Sequence, residues 1–395
     1  MNKLLLLLLP VVVLAKSFTI SNLPLPKTYI QNLDPYECDE ACMQEYLDKE
    51  MLFSFLAHAE KKLDNKELDE ARTMNIAILN IGAFNAGGKL KIALLLPYKR
   101  IGKYASSTLN ATFAYLMTKS NPFTLKSYKI ESEEPSEIQK ALHKIKDDGF
   151  SYIIAPMTKQ GATNLIDLNP ELNVYFPTIN KHDLNTSSPY LFGGIDYRAQ
   201  SALLIEKAVS PLVIFSGKSN TGKKLAALQA EEFSQTKHGR VIKYFISRKT
   251  TNIEYYLKNN KKIDYASFFV NTPIIKTGMV LSQMTLYDTN ATNILSTQVN
   301  YDPLLLSMTQ YTDRKKMIIA NSIIQNNNVT VETNSLLGND IVYDWINYTT
   351  TVGMDYFYNQ ITGEERDYKI DLVDNQMIYN IELLKPGKTK FLPYN

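Results

Sequence analysis

Gly217-Lys218-Ser219-Asn220-Thr221-Gly222-Lys223-Lys224 is the stretch whose residue types come nearest to a chemical site. A glycine-rich turn between a strand and a helix can wrap its backbone N–H groups around phosphates. Here, however, Lys224 stands where a Ser or Thr hydroxyl would hold magnesium. No later strand ends in an aspartate suited to the metal, since the run 265–270 leads into Asn271. The stretch therefore reads as the start of a helix. Nucleophilic chemistry has less support still. There is no G-x-S-x-G, and His58, His143, His182 and His238 are scattered with no obvious carboxylate at a strand end. Two cysteines and isolated histidines make no metal-ligand pattern, so neither metal nor cofactor is expected. Glu131, Glu133 and Glu134 form an acidic run at a helix start, where carboxylates cap N–H groups and complement the helix dipole. The chain reads as a non-enzyme.

Cys38 and Cys42 are the only cysteines. In an oxidising compartment their spacing allows a disulfide that closes a very small loop, fixing local shape more than global stability. The start of the chain points to such a compartment. Asn2-Lys3 is a short positive start, residues 4–14 are apolar apart from Pro10, and Ala15 supplies a cleavage site. That run is too short for a membrane span. No cysteine follows the expected cleavage site, so no lipid anchor is expected there. The mature chain is expected in the periplasm, with no membrane span. The remaining composition is ordinary for a globular protein: 45% hydrophobic and 21% charged. A net charge of +3 gives no argument for nucleic acid.

Positioning elements follow from pattern. Residues 17–35 hold Pro24, Pro26 and Pro35 and read as an extended arm. Residues 42–62 and 67–81 read as two helices around an Asp64-Asn65-Lys66 turn. From Leu90 onward, apolar runs alternate with helical patterns, which means a mainly parallel sheet covered on both faces. The runs 90–97 and 151–156 both stop at a proline. Residues 211–216, 240–247 and 265–270 look like parallel strands of a second lobe, with further strands at 294–298 and 317–320. Residues 336–358 read as one long helix holding Trp345, and 368–383 as a closing hairpin. The expected division is a signal peptide over 1–15, an arm with a helical hairpin over 16–84, and a main domain over 89–395. Within that domain, lobe 1 takes 89–190 plus 335–358, and lobe 2 takes 191–330 plus the C-terminal hairpin.

Four segments carry a likeness to a known family: 91–104 (KIALLLPYKRIGKY), 153–180 (IIAPMTKQGATNL and ELNVYFPTIN), 211–222 (PLVIFSGKSNTG) and 269–279 (FVNTPIIKTGM). In order and spacing they resemble the type I periplasmic-binding-protein fold. Within it they are most similar to the C-terminal domain of penicillin-binding-protein activator lipoproteins. The resemblance implies an α/β, bilobed chain of two parallel-sheet, three-layer lobes with a shared hinge, here with a short N-terminal helical extension. In solute-binding members a ligand lies between the lobes. The matching positions here are Tyr98, Tyr104, Thr158, Gln160, Thr178, Tyr197, Ser216, Asn271, Gln298 and Asn300. The charge pair expected for an amino-acid zwitterion is not evident. The loop Met157-Thr158-Lys159-Gln160-Gly161 looks more like that of the activators, which act by touching a protein. By resemblance the partner would be a penicillin-binding protein. With the lipid anchor absent and the activators' helical-repeat domain reduced, a flagellar or secretion component is nearly as well supported. The rival reading is a receptor for a small polar solute. Finally, Asn185 and Asn290 lie in Asn-x-Ser/Thr sites with an acid two positions earlier, Asp183 and Asp288. That pattern resembles the extended acceptor of periplasmic glycosylation.

Overall fold

The computed structural model describes residues 28–84, 90–184, 187–323 and 326–394. The expected signal peptide and the proline-rich start of the arm lie outside these residues. The described chain forms two compact units.

The first unit runs from β1 (Thr28–Ile30) through α1 (Glu40–Asp48), α2 (Leu52–His58) and α3 (Lys66–Ile78) to β2 (Ile81–Phe84). β1 and β2 pair in parallel. Met43, Phe55, Leu56, Ala59 and Leu68 form its core. The helix expected over 42–62 is two helices, because Glu50 takes a left-handed φ of 58° that ends α1. Asp39 caps α1 by accepting from the Cys42 N–H at 2.9 Å. Cys38 precedes that cap and is bonded to Cys42, so the disulfide braces the helix entrance. The Glu40 carboxylate accepts from the Asp64 N–H at 2.7 Å and so ties α1 to the turn before α3. That turn is set by Asn65, which caps α3.

The second unit holds Asn32–Glu37 and the rest of the chain from Ala86. Its elements begin with β3 (Leu90–Leu96), α4 (Tyr98–Ile101), α5 (Lys103–Met117), β4 (Phe123–Lys129) and α6 (Pro135–Asp147). Next come β5 (Tyr152–Ile154), α7 (Lys159–Leu168), β6 (Asn173–Phe176), β7 (Leu191–Phe192) and α8 (Tyr197–Glu206). The middle of the chain supplies β8 (Leu212–Gly217), α9 (Asn220–Lys237), β9 (Val241–Ile246), α10 (Glu254–Leu257), β10 (Ser267–Asn271) and α11 (Ile274–Leu286). Then follow β11 (Asn293–Ser296), α12 (Leu304–Met308), α13 (Tyr311–Arg314), β12 (Met317–Asn321), α14 (Asn328–Leu336) and α15 (Trp345–Thr362). The chain closes with β13 (Asp371–Val373), β14 (Gln376–Ile378), β15 (Glu382–Pro386) and β16 (Phe391–Pro393).

Two seven-stranded sheets result. Lobe 1 has the order β13-β14-β7-β6-β5-β3-β4, and lobe 2 the order β16-β15-β12-β11-β10-β8-β9. Both are parallel except at the C-terminal hairpins. Alternation along β3 explains the layers. Ile92, Leu94 and Leu96 pack with Tyr115, Tyr348 and Val352 on one face. Ala93 and Leu95 pack with Ile138, Leu142 and Ala162 on the other. Each fully buried Leu or Ile contributes roughly 1.5–3 kcal/mol, so a strand apolar on both faces is stable only at this depth.

Four further expectations change in the second unit. β4, followed by α6, is a further lobe-1 strand between the runs 90–97 and 151–156 that the apolar pattern does not mark, because Lys126 and Lys129 break it. β7 belongs to the lobe-1 sheet, pairing β6, where the expected boundary put residue 191 in lobe 2. The hairpin assigned to lobe 2 divides: β13 and β14 extend the lobe-1 sheet through β7, while β15 and β16 extend lobe 2. The helix expected over 336–358 starts at Trp345, because Asp344 caps it by accepting from the Ile346 N–H at 2.9 Å.

Candidate functional site

The lobes face each other across a groove of about 1340 Å³. It is built where parallel strands end, the edge at which α/β sheets receive partners. Six of the ten sequence-selected residues line it: Tyr104, Thr158, Gln160, Thr178, Tyr197 and Gln298. Tyr98, Ser216, Asn271 and Asn300 do not line it.

The hydrogen bonds of these residues decide what the groove can do. Thr158 ends the loop after β5 and caps α7. Its N–H donates to the Glu133 carboxylate at 2.8 Å, and its hydroxyl donates to the same carboxylate. The Thr178 hydroxyl donates to the Met157 carbonyl at 2.6 Å. Asn271 and Gln229 exchange amide bonds of 2.6 and 3.2 Å. Asn300 donates to the Val270 carbonyl and the Ser296 hydroxyl and accepts from Thr277. Gln298 donates to Asn321 and accepts from the Ser322 N–H, while its own N–H donates to Gln200. Ser216 is fully buried on β8. Tyr98 packs against Tyr36 with ring centroids 6.3 Å apart, and burial pushes its hydroxyl up to about 12.

The acidic run does not act as one cap. Glu134 is the capping residue of α6, without a side-chain bond. Glu131 bridges Lys99 and Lys129 at 2.6 Å each, and hydrogen bonds from Lys129 and Lys99 hold its carboxyl down to about 2. Glu133 is 3% exposed, holds Thr158, and lies so close to α7 that a β-carbon on Gly161 would meet its carboxyl at 2.5 Å. An internal carboxylate thus holds the N-terminus of α7, the kind of place where an external anion would bind.

Several lining residues were not selected from sequence. Trp345 meets Tyr197 edge-on at 6.4 Å, and Tyr301 lies 5.0 Å from Tyr343. Burial raises the Tyr197 hydroxyl, with Tyr104, Asp344 and Asp183 adding to it. Burial also raises the Asp344 carboxyl, partly offset by its bonds to the Ile346 and Asn347 N–H groups. Lys99, Arg100, Lys103, Lys159 and Lys224 face Asp183, Asp302, Asp340 and Asp344, so neither sign dominates the field. Lys224, the residue that spoiled the phosphate-loop pattern, pairs with Asp183 at 2.6 Å and so links the lobes across the groove. The available signal was position: Lys99, Arg100 and Lys103 follow the end of β3 directly, and Tyr301-Asp302-Pro303 follows β11.

Ser219 caps α9 by accepting from the Gly222 N–H at 3.2 Å, so the glycine-rich stretch is a helix start. Of the proposed modification sites, Asn290 is exposed, and Asn185 lies outside the described residues. Among the described residues no cluster of three or more His, Cys, Asp or Glu could hold a metal, and no helix is long and apolar enough to cross a membrane.

This architecture is the type I periplasmic-binding-protein fold. The chain superposes on leucine-binding protein LivK of Thermotoga maritima at a TM-score of 0.55 and 12% identity, covering 78% of this chain and 98% of that one. It superposes on the C-domain of LpoA from Haemophilus influenzae, a regulator of PBP1A, at 0.52 and 10%, covering 77% and 100%. A solute-binding protein of an ABC transporter from Rhodopseudomonas palustris, in complex with 4-hydroxybenzoate, matches at 0.55 and 13%, covering 77% and 95%. At these identities the likeness establishes the fold. No family model matches the sequence, and no curated protein matches it.

Proposed function

We propose that the protein is a non-enzymatic periplasmic scaffold or regulator of a cell-envelope machine. One observation carries this reading. The polar groups that a receptor would turn toward a solute are engaged inside the protein at Thr158, Thr178, Asn271, Gln298 and Asn300. A donor already satisfied at 2.6–2.9 Å gains little by exchanging partners. The groove volume also exceeds the roughly 300–1000 Å³ of small-molecule pockets. A peptidoglycan synthase is the favoured machine, by likeness to the LpoA C-domain, with a flagellar or secretion assembly next. Export through a signal peptide cleaved near Ala15 belongs to the same reading, as do the mature arm and helical unit over 16–84. Two of the exposed apolar side chains of that helical unit, Phe53 and Ile78, would contact the partner.

The second reading, a receptor for a small polar or aromatic solute, is favoured by the aromatic wall of Tyr197, Trp345, Tyr301 and Tyr343. One experiment separates the two. Phe53→Glu with Ile78→Glu charges the helical unit, whereas Tyr104→Ala with Gln160→Ala strips exposed groups from the groove. A scaffold loses its cellular phenotype with the first pair and keeps it with the second. The reverse pattern, with thermal stabilisation by a solute that the groove pair abolishes, would establish the receptor.

A further inference from the structure

β9 is an edge strand of lobe 2, with β8 on one side and no described strand on the other. The two run parallel with Leu212 opposite Val241, and the Leu212 N–H donates to the Arg240 carbonyl at 2.8 Å. Backbone groups of a strand point alternately to its two sides. Residues 240, 242, 244 and 246 therefore face β8, and the N–H and C=O groups of Val241, Lys243 and Phe245 point outward. Such a row is a template for another strand unless something covers it.

The surroundings of this edge are specific. Beside it lies a hollow of about 610 Å³ lined by Lys218, Lys223, Lys243, Tyr244, Phe245 and Tyr256, with no carboxylate among them. The three lysines make no ion pair among the described residues, whereas Lys224 beside them is paired. Tyr244 and Tyr256 stack at 4.4 Å, and Phe245 is 45% exposed. Phe245 shares the α9 face of β9 with Lys243, whereas Tyr244 and Tyr256 lie on the opposite face of the strand.

We propose that the outer edge of β9 captures an extended acidic segment of a partner protein as an added strand. Main-chain bonds to residues 241, 243 and 245 would hold it. On the α9 face alternate acidic side chains would meet Lys218, Lys223 and Lys243 and an apolar side chain would rest on Phe245, while a side chain on the other face would rest on Tyr244. The same lysines exclude a second copy of this chain, because a second β9 brings like charges directly opposite. The proposal rests on the scaffold reading but names a surface that the Phe53 and Ile78 variants do not touch, so the two can fail separately.

The test uses the purified full chain and a displayed library of random eight-residue peptides, with heparin as a competitor. Selected peptides should carry Asp or Glu at alternating positions. Lys223→Glu with Lys243→Glu should weaken them by about tenfold or more, the equivalent of one decade in Kd. Phe245→Pro removes an outward N–H without breaking the β8 ladder, so it should weaken them comparably while leaving the thermal midpoint near that of the parent. Thermal melts of all variants verify folding. Three outcomes would each overturn the proposal: no acidic enrichment, acidic peptides indifferent to Phe245→Pro, or displacement by heparin as effective as by the peptides themselves.

Discussion

The two lobes meet the groove with different faces. Lobe 1 presents exposed, extendable groups, among them Lys103, Lys159 and Gln160. Lobe 2 has buried amides at its strand ends, Asn271, Gln298 and Asn300, of which only Gln298 lines the groove, and they are locked to Gln229, Gln200, Asn321 and Thr277. In the low dielectric of a buried strand end, an amide without a partner costs far more than one in water. Lobe 2 solves this with partners from its own helices and neighbouring strands. Lobe 1 leaves its long side chains in solvent, where they adapt to whatever approaches. The contrast teaches that the same strand-end position can be structural on one side of a groove and available on the other.

The sharpest way to break this comparison is at Asn271. Asn271→Ala leaves both amide groups of buried Gln229 without that partner and should destabilise the protein by about 1–3 kcal/mol. Lys103→Ala on lobe 1 should stay within about 0.5 kcal/mol of the parent. Urea unfolding of both variants checks this; equal losses would mean that lobe 2 is no more structural than lobe 1.

A smaller effect is expected at Asp344. Burial raises its carboxyl above the ordinary 3.8, so the folded chain binds this proton more readily than the unfolded chain. Its contribution to stability therefore falls as pH rises through the window above 3.8. Asp344→Asn keeps a capping side chain for the Ile346 and Asn347 N–H groups and removes the buried charge. The variant should be at least as stable as the parent at pH 7, with the gap closing as pH falls toward 3.8. A variant clearly less stable at pH 7 would show that the charge itself is needed.

The smallest effect concerns the link between the lobes. Asp183→Asn removes the pair with Lys224, whose side chains are 37% and 52% exposed, so unfolding free energy should change by no more than about 0.2–1 kcal/mol. The lobes should nevertheless separate more, read as a larger radius of gyration in small-angle scattering at low salt. An unchanged radius would mean that packing alone sets the groove width.

Much of the fold was legible because it follows from local pattern. The runs at β3, β5, β6, β8 and β10 are apolar on both faces, and only a covered parallel sheet accommodates that. The disulfide of Cys38 and Cys42 was legible from spacing, since the two residues are four apart. The site was only partly legible. The family resemblance points to Tyr104, Thr158 and Gln160, but nothing local distinguishes an amide turned to solvent, as at Gln160, from one turned inward, as at Asn271. Glu133 sat in plain view within an acidic run, yet its role depends on Thr158, 25 residues further along.

By itself the sequence determined the alternation of strands and helices, the turn at Asp64-Asn65-Lys66, and the helix start at the glycine-rich turn. These are matters of a few neighbouring residues and their local hydrogen bonds. Tertiary structure alone decided which sheet each C-terminal hairpin joins, which strand-end side chains are consumed internally, and that Lys224 reaches Asp183. Each of those outcomes depends on groups far apart in the chain meeting at ångström precision. Residue type constrains such meetings only weakly, because the free energy of a polar contact is set by the burial and geometry of both partners.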